Sequence, residues 1–275
     1  MPAVVRISLF LLLTALAAVP ARAAQPVQIS GCSVSTVAYL DDLAKVYEKE
    51  TGEKVAVRGG GSLVGLSDLG KDRVDIAASC TGPGPGIPAD FEFITAAWDA
   101  LVFIVHPSNP VSDINFGSVR SIYDGTITNW KQLGGPDRKI LSIISTPEGM
   151  GGVGEALADQ VLKGRKPERR ANSMVEASSV AIWEQLVEQM PEAFASTGFG
   201  SARKRKVKML TFNGVPPTKQ NIISGAYPLK RRLYLVLRKD APPQARKFVK
   251  FVLSRRGQAL ISSYGIPSID DMGKR

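Results

Sequence analysis

The feature that most constrains the fold is a regular alternation of two hydrophobic patterns along the chain. Short apolar runs typical of β-strands are followed by segments with apolar residues at helical spacing, as at Leu40, Leu43 and Tyr47. Strands are predicted at residues 26–30, 54–58, 75–79, 91–97, 101–106, 140–145, 207–212 and 233–238, and helices at residues 36–51, 63–69, 119–123, 153–162, 178–189, 243–253 and 256–263. This alternation predicts an α/β fold with largely parallel sheets.

The strand–helix pattern occurs twice, once before about residue 100 and again between about residues 110 and 225. We therefore predict two α/β lobes with a ligand cleft between them. The first lobe is expected to contain residues 24–100 and 226–275, and the second residues 110–215. The chain should cross between the lobes near residues 101–109 and 216–225.

Residues 1–23 have the features of a secretory signal peptide. Arg6 precedes an apolar run at residues 7–19, and Ala21-Arg22-Ala23 supplies a small-residue cleavage site. The run is shorter than the ~20 residues that span a bilayer, which favours cleavage over a membrane anchor. We expect an exported protein, located in the periplasm of a Gram-negative cell.

The composition excludes several kinds of protein. With 44% hydrophobic and 22% charged residues, the chain is ordinary globular protein rather than disordered. Two cysteines and one histidine cannot supply a structural zinc site with four protein ligands. A formal charge of +10 attracts nucleic acid, anionic membranes and small anions alike. Export, and the lack of aromatic residues interleaved with the basic clusters, argue against a nucleic-acid partner.

Three loops share the layout of a strand end, small residues and a helix start. They are residues 31–36 (GCSVST), 59–63 (GGGSL) and 145–152 (STPEGMGG). Backbone N–H groups at a helix N-terminus attract anions, and ligands of α/β sheets bind at the carboxyl ends of strands. Each loop taken alone is more typical of a helix cap with a tight turn. None has the GK[ST] ending of a nucleotide-binding loop, and no cofactor is predicted.

Several motifs resemble the PstS-type phosphate-binding protein family. They are residues 57–66 (VRGGGSLVGL), 75–79 (DIAAS), 106–112 (HPSNPVS), 122–130 (IYDGTITNW), 133–137 (LGGPD), 213–218 (NGVPPT), 221–229 (NIISGAYPL), 233–235 (LYL) and 251–254 (FVLS), followed by Gly257 and Gln258. The resemblance covers nearly the whole chain after residue 23. It implies a two-lobed periplasmic-binding fold of type II, with a solute in the cleft that is delivered to an ABC-type membrane transporter. We also expect a monomer, and one without enzymatic activity, since no nucleophile–base pair or paired carboxylates can be assembled from the sequence.

The departures from the family pattern fall on the ligand loops. Relatives carry an arginine followed by Gly-Ser-Gly-Thr where this chain has Thr146, Glu148 and then Met150 and Gly152. A buried phosphate needs many donors and a compensating charge. Losing a charge-assisted hydrogen bond costs on the order of 1.5–3 kcal/mol, so we expect phosphate to bind more weakly than in typical relatives.

The same departures introduce sulfur at Cys32, Cys80 and Met150. The two cysteines follow strand ends that should be neighbours, so they are expected to lie together at the cleft. They could form a structural disulfide, or present thiols to a thiophilic species such as arsenite or a soft metal, which would suit a periplasmic sensor subunit. Catalysis by a reactive cysteine needs a nearby base, and His106 lies in a Pro-Ser-Asn-Pro turn.

The predicted ligand-binding residues come from these loops and from the end of the third strand. They are Cys32, Ser33, Ser35, Thr36, Gly61, Ser62, Cys80, Thr81, Gly149, Met150, Gly151 and Gly152.

Overall fold

The structure is a computed structural model that describes residues 25–146, 151–167 and 173–273. The predicted signal peptide, residues 1–23, lies outside the described residues. The strands are β1 (Val27–Gly31), β2 (Val55–Gly59), β3 (Ile76–Ser79), β4 (Phe91–Val105), β5 (Asp113–Ile114), β6 (Leu141–Ser145), β7 (Met174–Ala177), β8 (Ala193–Gly198), β9 (Lys208–Met209), β10 (Thr211–Phe212) and β11 (Lys230–Arg238).

The first helical segment, α1, runs without a break through an α-helical turn (Ser33–Ser35), a π-helical turn (Thr36–Leu40) and an α-helix (Asp41–Thr51). The other α-helices are α2 (Ser62–Gly70), α3 (Phe116–Asp124), α4 (Val153–Gln160), α5 (Val180–Gln189), α6 (Phe199–Ala202), α7 (Lys219–Ser224), α8 (Pro243–Leu253), α9 (Arg255–Ser263) and α10 (Ile269–Gly273). Within the described ranges, no helix is both long and apolar enough to cross a membrane.

A mixed sheet in the order β2-β1-β3-β11-β4-β8-β6-β7 forms the centre of the protein. The strands are parallel at both ends of this order, and β11, β4 and β8 pair antiparallel in the middle. Residues 91–100 of β4 pair with β11, whereas residues 101–105 pair with β8. We call the strands on the β11 side of this change the first half of the sheet, and those on the β8 side the second half.

The prediction of separate strands at residues 91–97 and 101–106 was wrong, because β4 is one continuous strand. The apolar pattern is interrupted by the charged Asp99, which suggested a break. In the structure Arg231 lies opposite Asp99 on β11 and forms an ion pair with it, so the carboxylate is accommodated inside the sheet. The α/β class itself is confirmed.

Buried aromatic residues pack on the sheet. In the second half, the ring of Phe103 stacks on Phe194 and Phe212, with ring centres 5.8 and 5.5 Å apart. In the first half, Tyr47 of α1 packs edge-on against Phe248 of α8 at 5.2 Å. Burying each such side chain stabilises the fold by about 1.5–3 kcal/mol, which makes both halves firm supports for the loops at their strand ends.

The exit of the chain from β1 depends on a glycine. Gly31 has φ +135°, and a Cβ atom there would lie 2.1 Å from the carbonyl oxygen of Ala78 on the neighbouring β3. Only glycine fits this position, since other residues rarely adopt this φ and any side chain would collide with the backbone. The close approach of β1 to β3 brings the residues that follow the two strands, Cys32 and Cys80, together.

Candidate ligand-binding cleft

Four helix N-termini converge on one cleft between the two halves of the sheet. The segments α1 and α2 begin after β1 and β2, and α4 and α5 begin after β6 and β7. The walls of the cleft are formed by Cys32, Ser33, Val34, Gly61, Ser62, Cys80, Gly151, Gly152, Val153, Ser178, Ser179, Val180 and Trp183. First-turn N–H groups have no partner within their own helix, so this arrangement favours negative charge in the cleft.

The two walls of the cleft touch each other. The backbone N–H of Gly152 donates a hydrogen bond of 2.8 Å to Oγ1 of Thr81 across the cleft. A Cβ atom on Gly152 would lie 2.7 Å from Sγ of Cys80 and 3.1 Å from Oγ of Ser62. The missing side chain at residue 152 therefore allows the walls to approach, and the structure represents a closed cleft.

The thiols of Cys32 and Cys80 meet in the wall of the first half. Both cysteines are free, and their sulfur atoms lie 2.8 Å apart within a hydrogen bond. Oγ of Ser62 accepts the Cys80 N–H at 3.0 Å and lies 3.4 Å from Sγ of Cys80. The strand order had predicted that the cysteines are neighbours, and the pairing of Gly31 with Ala78 produces this contact.

A buried ion pair lies behind the thiols. Nε and Nη2 of Arg231 donate to Oδ2 of Asp99 at 3.1 and 2.8 Å, and Oδ1 of Asp99 accepts the N–H of Gly200 at 2.8 Å. Nη1 of Arg231 is buried and has no hydrogen-bond partner among the described residues. The charge of Arg231 acts on both cysteines.

The two thiols have opposite pKa shifts. Burial acts to raise the pKa of Cys32, but the hydrogen bond from Cys80, the charge of Arg231 and the N–H of Ser35 outweigh it and lower the pKa to about 6. The hydrogen bond to Cys32 and burial raise the pKa of Cys80 well above its usual value. The reduced pair is therefore a thiolate on Cys32 that accepts a hydrogen bond from the thiol of Cys80.

Most of the predicted ligand-binding residues lie at or beside the cleft. Cys32, Ser33, Gly61, Ser62, Cys80, Gly151 and Gly152 line it. Thr81 contacts Gly152 across it, and Ser35 is buried in the first turn of α1. Thr36 lines an adjoining groove together with Ser33, Ser178 and Ser179. Gly149 and Met150 lie outside the described residues.

The sequence analysis missed the α5 side of the cleft and Arg231. Ser178 and Ser179 follow β7 and precede α5, which is the same layout as the three predicted loops, but the sequence analysis assigned residues 178–189 only to a helix. Arg231 gave no sequence signal, because it lies in a run of basic residues typical of a solvated surface. The structure places this arginine in the sheet, with 6% of its surface exposed.

No group of three or more His, Cys, Asp or Glu side chains that could hold a metal ion is present among the described residues. His106 lies away from the cleft walls, where its Nδ1 forms a 2.7 Å hydrogen bond with the Ser108 hydroxyl.

Comparison with known proteins identifies the family. Residues 17–256 match the model of the PBP superfamily domain. The chain belongs to this superfamily, and within it to the PstS-type family. The phosphate-binding protein PstS of Bacillus subtilis is 27% identical over 255 residues, which cover 91% of this chain and 83% of that protein.

Solved structures agree with this family. An ABC-type phosphate transport receptor from Vibrio cholerae has 30% sequence identity and a TM-score of 0.66, with 88% of this chain and 99% of that chain covered. A further match is a Clostridium perfringens protein assigned as a phosphate ABC transporter substrate-binding protein and crystallised with phosphate. Its TM-score is 0.78 at 22% sequence identity, with 89% of this chain and 100% of that chain covered. At this identity the match supports the fold alone. The predicted two-lobed α/β fold is confirmed.

Proposed function

We propose that the protein is an exported solute-binding protein that captures a small oxyanion related to phosphate in the cleft and delivers it to an ABC-type membrane transporter. The observation that carries this proposal is the convergence of four helix N-termini on one cleft. Family membership supports the transport role, and the phosphate named for the relatives supports the class of ligand. The proposal includes the predicted lobes, residues 24–100 with 226–275 and residues 110–215, and an origin in the periplasm.

Phosphate itself is expected to bind weakly. The family's arginine has no counterpart at Thr146, and Ser79-Cys80 stands where relatives carry serine followed by aspartate or arginine. Arg231 supplies positive charge, but Asp99 already pairs with it. A dianion in a site with few charged donors loses much of its hydration without full compensation. Sulfate, arsenate and molybdate therefore belong in the same test as phosphate.

The test uses a charge placed at a cleft helix without disturbing the helix. Ser179 is the N-cap of α5 and lines the cleft. Aspartate is a favourable N-cap, so Ser179→Asp should fold normally while its carboxylate repels an anion. Thr218→Asp is the matched control, since Thr218 is the N-cap of α7, which does not line the cleft.

Thermal shift and calorimetry with the four oxyanions measure the effect. We expect one oxyanion to stabilise the wild-type protein by RT ln(1 + [L]/Kd), which is about 2.7 kcal/mol at a hundredfold excess over Kd. Ser179→Asp should weaken its affinity at least tenfold, and Thr218→Asp should leave the affinity unchanged. No stabilisation by any of the four oxyanions, or equal binding by both variants, would contradict the proposal.

A further inference from the structure

The two cysteines of the chain lie at neighbouring strand ends in one wall of the cleft. Cys32 follows β1 and Cys80 follows β3, and these strands pair in parallel with Gly31 opposite Ala78. The N–H of Cys32 donates a 2.8 Å hydrogen bond to the carbonyl oxygen of Ala78, so the two backbones stay paired up to the cysteines. Adjacent strands are ~4.8 Å apart, and a disulfide needs Cα atoms about 4.4–6.8 Å apart. This backbone arrangement is compatible with a bond between the two sulfur atoms.

The side chains of the two cysteines face each other. Their sulfur atoms lie 2.8 Å apart, and a disulfide bond is ~2.05 Å long, so an approach of about 0.8 Å would form it. Oγ of Ser62 accepts the N–H of Cys80 at 3.0 Å and holds the loop after β3 in this position. Bond formation therefore needs a small movement of side chains and no change in the sheet.

We propose that Cys32 and Cys80 form a redox-modification site, at which an external disulfide that enters the open cleft oxidises both thiols to an intramolecular disulfide while the protein stays folded. The predicted export would place the pair in a compartment where disulfides persist. This inference does not depend on the proposed oxyanion function, since it concerns the sulfur pair and the access to it.

Access determines which sulfur reacts first. Cys32 is buried, with 2% of its surface exposed, whereas Cys80 is only partly buried. The thiol proton of Cys80 passes to Cys32, its hydrogen-bond partner, and the Cys80 sulfur attacks the external disulfide. A mixed disulfide forms, and the first thiolate leaves and takes the proton from Cys32. The Cys32 sulfur then attacks the sulfur of Cys80 and expels the second thiolate, so two electrons pass from the cysteines to the external disulfide.

The opposite wall of the cleft controls the access to Cys80. A Cβ atom on Gly152 would lie 2.7 Å from Sγ of Cys80, so the backbone of Gly152 packs against this sulfur when the cleft is closed. The N–H of Gly152 also donates to Oγ1 of Thr81, the residue after Cys80. An external disulfide must reach the sulfur from the cleft, because Cys32 and the sheet lie behind it. Oxidation should therefore be faster when the cleft is open.

The experiment adds oxidised glutathione to the reduced, folded mature protein and follows its mass. The wild-type protein should lose two hydrogen atoms without a lasting adduct, and a dithiol reductant should restore both thiols. In Cys32→Ser a glutathione adduct should accumulate on Cys80, because the sulfur that would displace it is missing. Cys80→Ser should form its adduct at least about tenfold more slowly than Cys32→Ser, because Cys32 is buried.

Two glycine variants test the route through the cleft. Gly152→Ala places a Cβ atom against the Cys80 sulfur of the closed cleft, so it should be oxidised at least about threefold faster than the wild type. Gly52→Ala is the matched control, since Gly52 also has a positive φ, of +75°, and a Cβ atom there would touch nothing within 4 Å. It should react at the wild-type rate. The disulfide itself should raise the Tm of the wild-type protein by at least about 5 °C.

Circular dichroism establishes that each variant is folded before the oxidant is added. The proposal would be overturned by a wild-type protein that keeps both thiols, or that forms the disulfide only after unfolding. Equal rates of adduct formation in the two cysteine variants would contradict the assigned order of attack. Equal oxidation rates of Gly152→Ala and Gly52→Ala would contradict the route through the open cleft.

Discussion

The ion pair between Asp99 and Arg231 should dominate the stability of the region where the two halves of the sheet meet. Asp99 is 0% and Arg231 6% exposed, so water does not screen the pair. Asp99→Asn retains the size of the side chain and an oxygen that can accept the N–H of Gly200. It removes the negative charge and the oxygen that accepts from Nε and Nη2 of Arg231, which leaves the buried arginine without its carboxylate partner.

The magnitude follows from burial. Removing one partner of a buried ion pair costs about 3–5 kcal/mol, since the other charge stays away from water. We expect Asp99→Asn and Arg231→Met each to lower the free energy of unfolding by this amount. The double variant leaves neither partner of this ion pair without the other, so its cost should be at least about 2 kcal/mol below the sum of the single variants.

Urea unfolding of the reduced protein, followed by tryptophan fluorescence and circular dichroism, measures these changes. The control is Arg256→Met, which breaks an exposed pair with Glu50, whose side chains are 60% and 42% exposed and 3.3 Å apart. That variant should lose no more than about 1 kcal/mol. Strict additivity of the two buried variants, or a loss for Asp99→Asn as small as the control's, would refute the reasoning.

Three further predictions concern the cleft. Gly152→Ala should favour an open cleft. Alanine at φ +62° costs roughly 1 kcal/mol, and its Cβ would lie 2.7 Å from Sγ of Cys80 in the closed cleft. Small-angle scattering should therefore show a larger radius of gyration for this variant. Ser62→Ala should lower the free energy of unfolding by about 1–3 kcal/mol in a urea titration, because the N–H of Cys80 loses its acceptor. The pKa of Cys32 is lowered from 9.0 to about 6, so between pH 6 and 9 the thiol is protonated in the unfolded chain and ionised in the folded protein. The free energy of unfolding should therefore rise from pH 6 to 9, by up to about 1.4 kcal/mol per pH unit. That contribution is lost as the pH falls through 6, and Cys32→Ser should abolish it in unfolding titrations at matched pH.

Much of the fold could be predicted from hydrophobic periodicity. The helix predicted at residues 243–253 has the same bounds in the structure, and the first three strands differ by a residue at their ends. Strand β8 was missed, because its Ser196 and Thr197 interrupt the apolar pattern although both are buried. Thr197 is accommodated there by a 2.5 Å hydrogen bond to the buried Glu184, a tertiary contact that local patterns do not reveal.

The site was predictable where it depends on strand ends and less so elsewhere. Cys32, Ser62 and Cys80 follow or precede strands whose order the fold class determines, so their proximity could be inferred. Arg231 could not, because a basic residue in a strand is buried only when a partner such as Asp99 lies opposite, and the pairing of β4 with β11 spans more than a hundred residues. The contact across the cleft by Gly152 likewise depends on how the two halves close.

A few side chains determine the chemistry of the cleft, because the backbone N–H groups that surround it do not distinguish one anion from another. The helix N-termini favour negative charge whatever supplies it. A bound oxyanion would supply that charge from the ligand, and the thiolate of Cys32 supplies one negative charge from within the wall, facing Arg231. A reduced thiol pair and a bound oxyanion would therefore compete for the same stabilisation. We therefore expect the affinity of the cleft for anions to depend on the state of the two sulfur atoms, which would connect the departures from the family pattern to the function of the whole site.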